Sequence, residues 1–77
     1  MILFTKTITP EYAESMIKNE ALYLSNRATL NHYTDEQCQM KLDGYLKAYE
    51  ELELIDFDIR PKAFQIYHDD IKASQAH

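Results

Sequence analysis

Residues 55–68 read IDFDIRPKAFQIYH, and the way this stretch is taken decides the fold. Ile55, Phe57 and Ile59 alternate with Asp56 and Asp58, the two-residue period of a strand with one wet face. Arg60-Pro61-Lys62 then reads as a turn, because proline has no N–H for a central ladder and biases the residue before it toward extended backbone. Residues 64–68 (FQIYH) return as a second strand, which makes the stretch a hairpin. The rival is a C-terminal helix from Pro61 with Ala63, Phe64, Tyr67 and Ile71 on one side. Arg60 is a poor N-cap for such a helix, so the hairpin is preferred.

Upstream, the pattern is helical. Thr34-Asp35-Glu36-Gln37 is a capping box, and Cys38, Leu42, Tyr45, Tyr49 and Leu52 follow it at alternating steps of four and three, with Leu46 widening the seam. Gly44 lies inside this helix at a cost of ~1 kcal/mol relative to Ala. It marks either a close backbone approach or a break. An earlier helix starts at Thr9-Pro10-Glu11, which supplies a capping hydroxyl, a proline in the first turn and an acid favourable to the helix dipole. Ala13, Ile17, Ala21, Leu24 and Ala28 line one of its faces, and Asn19, Ser25 and Asn26 leave its end open beyond Leu24. Residues 2–8 (ILFTKTI) read as a strand, and residues 74–77 as a frayed tail. The expected architecture is α+β, a single β-α-α-β-β domain over residues 1–77 with two helices on one face of a three-stranded sheet.

Charge is concentrated where the second helix gives way. Residues 50–59 hold Glu50, Glu51, Glu53, Asp56 and Asp58 with no Lys or Arg, and outside them acids and bases are balanced at eight each. Such a segment steers a basic partner, or serves solubility alone. The six tyrosines suit surfaces that are dry at one end and wet at the other; Tyr12 and Tyr23 fall away from the core stripe of the first helix and join the acids as partner-binding candidates.

Other chemistry is thinly represented. A lone Cys38 rules out an internal disulfide and fits a reducing, cytoplasmic setting. With His32 it is the one pairing that suggests nucleophilic catalysis, but it lies on the apolar stripe, where a thiol acts as a small hydrophobe. His68-Asp69-Asp70 offers metal-ligand types without a spaced second pair. No glycine-rich phosphate loop, paired-cysteine motif or membrane-length apolar run is present. The reading is therefore a small acidic protein-binding module without enzymatic activity, cofactor or metal: an inhibitor, adaptor or antitoxin-like regulator, of the sort encoded by viruses or mobile elements, acting on a larger protein with a basic surface. Self-association as a homodimer is an equally open expectation. The alternative is a winged-helix-like nucleic-acid binder with Arg60 to Lys62 as its wing, which the acidic balance opposes.

Overall fold

In the computed structural model, which describes residues 9–75, the chain forms three helices, α1 (Pro10–Thr29), α2 (Asp35–Glu51) and α3 (Ile59–Gln75). Among the described residues there is no strand, so the expected α+β domain, two helices on a three-stranded sheet, gives way to an all-α bundle. The strand expected at residues 2–8 lies outside the described residues.

The hairpin expected over residues 55–68 is instead a loop followed by α3. Asp58 directly precedes the helix, where a carboxylate favours the positive end of the helix dipole. Pro61 falls in the first turn, where its missing N–H would have had no acceptor within the helix. Arg60 is therefore the second helical residue and not a cap. Its extended bias before proline is overcome while its guanidinium is anchored on α2. Ile59, Ala63 and Tyr67, at successive steps of four, are the buried residues of α3. With no hairpin, the proposed wing of a winged helix does not exist.

The first two helices begin as expected. The Thr9 hydroxyl accepts from the Tyr12 N–H at 3.1 Å, with Pro10 opening α1. In α2 both arms of the capping box form, Gln37 N–H to Thr34 Oγ1 at 3.1 Å and Thr34 N–H to Gln37 Oε1 at 2.9 Å. Beyond Leu24, α1 continues to Thr29: of the polar residues that obscured its end, Ser25 is buried and bonded within the bundle, while Asn19 and Asn26 lie exposed on the helix surface. The Ser25 hydroxyl donates to Asp70 of α3 at 2.8 Å, and Thr29 donates back to the Ser25 carbonyl at 2.9 Å. Gly44 neither breaks α2 nor admits a neighbour: the helix runs through it, and a Cβ built there would have nothing within 4 Å.

The core is formed by Ile17, Ala21 and Leu24 of α1, Cys38, Leu42 and Leu46 of α2, and Ile59, Ala63 and Tyr67 of α3. On α2 the seam is centred on Leu46, Tyr45 and Tyr49 stand half-buried at its edge, and Leu52 lies outside it. Helix α1 packs most extensively on α3, then on α2, while α2 and α3 meet least. That weaker seam is joined by side-chain bonds ending on carboxylates: Tyr67 to Asp35 at one end, and Arg60 to Asp43 and Glu50 at the other.

Candidate functional site

Residues 52–58 connect α2 to α3 and carry most of the acidic stretch. Local rules are broken here twice. Glu50 and Glu51 occupy the last turn of α2, where carboxylates oppose the helix dipole, and that turn holds no basic residue. Glu53 has φ 57°, a left-handed conformation ordinarily given to Gly or Asn. Such departures concentrate where a surface is shaped for something other than stability.

The loop is nevertheless held in one shape. The Leu54 N–H reaches back to the Tyr49 carbonyl at 3.0 Å and that of Glu53 to Glu50 at 3.0 Å, closing the end of α2. At the other side, Ile59 and Arg60 N–H groups bond the Asp56 and Phe57 carbonyls at 3.1 and 3.2 Å. Its two ends are tied by Arg60, whose Nε and Nη2 donate to both Glu50 oxygens at 3.1 and 2.7 Å while Nη1 bonds Asp43. Leu54 and Ile55 are half-buried, and Ile55 packs against the core.

Clamping at the base directs other side chains outward. Phe57 is 78% exposed and Leu52 68% exposed. Glu51, Glu53 and Asp56 are exposed beside them and have no Lys or Arg within ion-pair distance among the described residues. Asp58 pairs with Lys62 at 3.6 Å with both side chains about two-thirds exposed, a pair that contributes little. Glu50 stands apart from its neighbours: its side chain is 10% exposed and spent on Arg60, so it is structural. The guanidinium bonded to Asp43 also holds that carboxyl below the usual carboxylate range, with Lys47 at 3.2 Å adding to the effect.

The two tyrosines are separated from each other. Tyr12, 56% exposed, lies in the first turn of α1, and that turn and the loop line a common cavity. Tyr23, 45% exposed, lies eleven residues further on, about 16 Å along the helix axis. Its ring carries the Arg27 guanidinium 4.9 Å from the centroid. Only Tyr12 shares an end of the bundle with the acids. Sequence reasoning missed the exposure of Phe57 and Leu52, because strand alternation placed Phe57 inward and the α2 seam absorbed Leu52.

The other candidate chemistry is dispersed. The buried Cys38 thiol donates to the Leu24 carbonyl at 3.3 Å, whereas exposed His32 accepts at Nδ1 from Arg27 at 2.6 Å, so the two do not form a nucleophile–base pair. Asp70 accepts from Ser25 and Asp69 from Gln65, and among the described residues no cluster of three metal-ligating side chains occurs. Arg60, the intended phosphate contact of a wing, is occupied by two carboxylates. No helix among the described residues is long and apolar enough to cross a membrane.

Comparison with protein-family models, curated proteins and solved structures found no match to this chain.

Proposed function

We propose that this chain is a small acidic protein-binding module without enzymatic activity. In this reading it acts stoichiometrically, as an inhibitor, adaptor or antitoxin-like regulator, on a larger protein with a basic surface, and the α2–α3 loop is its contact. The observation that supports this is the pairing of Phe57 and Leu52, both strongly exposed, with Glu51, Glu53 and Asp56, which lack internal cations among the described residues. Where exposed apolar groups and carboxylates share one loop, the apolar groups can supply binding energy and the charges rate and orientation. The mechanism is steric occlusion of the surface on which the loop docks.

The test is differential capture from a lysate of the source cell or its host, using the wild-type chain and a Glu51→Lys/Glu53→Lys/Asp56→Lys variant with a matching far-ultraviolet circular dichroism spectrum. A protein held in one-to-one ratio by the wild type, released by salt and lost with the variant, is the expected result. Retention of the same proteins by both chains would remove the loop from the account.

A further inference from the structure

Where the loop meets the first turn of α1 there is a cavity of about 210 Å³. Pro10, Leu54, Ile55 and Ile59 supply its apolar lining, and Glu14, Glu53, Asp56 and Asp58 its carboxylates. Lys62, paired with Asp58, is the one cation among the lining residues. Glu14, Glu53 and Asp56 have no Lys or Arg within ion-pair distance among the described residues. The cavity is smaller than the ~300–1,000 Å³ typical of small-molecule sites, which limits its occupant to about one side chain.

Apolar and anionic side chains lining one cavity suit a group with a hydrocarbon stem and a cationic head. We infer that this cavity is a socket for one arginine or lysine side chain of the partner, the stem lying on Leu54, Ile55 and Ile59 and the head reaching Glu14, Glu53 and Asp56. The inference rests on the loop being the contact surface, and it names what that surface grips. Long cationic side chains divide themselves between dry and charged surroundings in this way. Arginine has the advantage, since its planar fork bonds carboxylates in pairs while a lysine head meets them as a point charge.

The test is amide chemical-shift mapping on the ¹⁵N-labelled full chain with N-acetyl-arginine amide, N-acetyl-lysine amide, N-acetyl-norleucine amide and guanidinium chloride as separate probes. The blocked arginine should move a confined set, the amides of residues 11–14 and 53–59, and saturate in the millimolar range. Norleucine amide and guanidinium, each carrying half of the chemistry, should bind more weakly. Glu14→Gln/Asp56→Asn should weaken blocked arginine by about three-fold or more, the combined effect of two exposed ion pairs. Glu36→Gln/Asp69→Asn should leave its affinity unchanged.

Shifts spread over all exposed carboxylates, equal effects of guanidinium and blocked arginine, or the same shifts from calcium chloride would overturn the socket. Stronger binding of blocked lysine would support the socket and reverse only the arginine preference. Retention on poly-L-lysine separates the two levels of the argument. Wild-type retention that the triple lysine variant loses, without confined shifts, would sink the socket and leave the basic-partner reading intact; no retention at low salt would sink both.

Discussion

Replacing Arg60 with Met tests the clamp on which the loop's presentation depends. The substitution keeps an apolar stem and removes the guanidinium, leaving Glu50, 10% exposed, without its two donors at the unfavourable end of a helix dipole. Hydrogen bonds to charged groups contribute ~1.5–3 kcal/mol, whereas exposed ion pairs give ~0.2–1. With Arg60 26% exposed, the Glu50–Arg60 pair falls between these cases, and a loss of about 2 kcal/mol is expected. For a domain of this size that lowers Tm by about 10 °C. Urea unfolding followed by circular dichroism should show a reduced midpoint with an unchanged slope. Glu50→Met in the Arg60→Met background should restore most of the loss, because an apolar pair replaces a stranded carboxylate. A midpoint unaltered by Arg60→Met, or losses that simply add in the double variant, would refute the clamp.

The same pair of proteins carries a pH prediction. Asp43 is held below its ordinary pKa of 3.8 chiefly by its bond to Arg60, then by Lys47, so it stabilises the fold fully above that pH. The contribution disappears as pH falls through the lowered value, and acid titration of the two proteins should show their stability difference narrowing below pH 3.8. Gly44→Ala should stabilise by ~1 kcal/mol, since an added methyl meets nothing within 4 Å and the helix is unbroken there; thermal melts would read this directly. Tyr67→Phe should cost ~1 kcal/mol, the net contribution of its 2.7 Å bond to Asp35. Burial, then that bond, raises the Tyr67 pKa well above 10.0, so its contribution holds below pH 10 and declines as the unfolded chain ionises above it. Alkaline unfolding should accordingly be shallower in Tyr67→Phe than in the wild type.

Helix starts were legible because capping is local chemistry: Thr9 with Pro10, and Thr34 with Gln37, act within one turn of themselves. The third helix was not, and the reason lies in the residues that lead into its first turn. Asp58 could stand on the wet face of a strand or before a helix; Pro61 could mark a turn or sit harmlessly in a first turn; Ile55, Phe57 and Ile59 have a period of two without forming a strand. The steps of four from Ile59 to Ala63 to Tyr67 are present in the sequence, but with Arg60 as the cap the helix starts two residues too late. What anchors Arg60 is a long-range bond to Glu50 and Asp43, and nothing local announces it. The acidic segment was visible from composition. Its division into a structural Glu50 and exposed Glu51, Glu53 and Asp56 required tertiary placement, and so did the outward position of Phe57, which alternation had assigned to the interior.

The central claim, that the α2–α3 loop is the surface that meets a basic macromolecule, is tested most directly by amide hydrogen exchange with and without poly-L-lysine at low salt. Slowed exchange confined to residues 51–59 and the first turn of α1, and reversed by added salt, is the predicted footprint. Protection centred on Glu36, Asp69 or Asp70, or no protection at all, would contradict it.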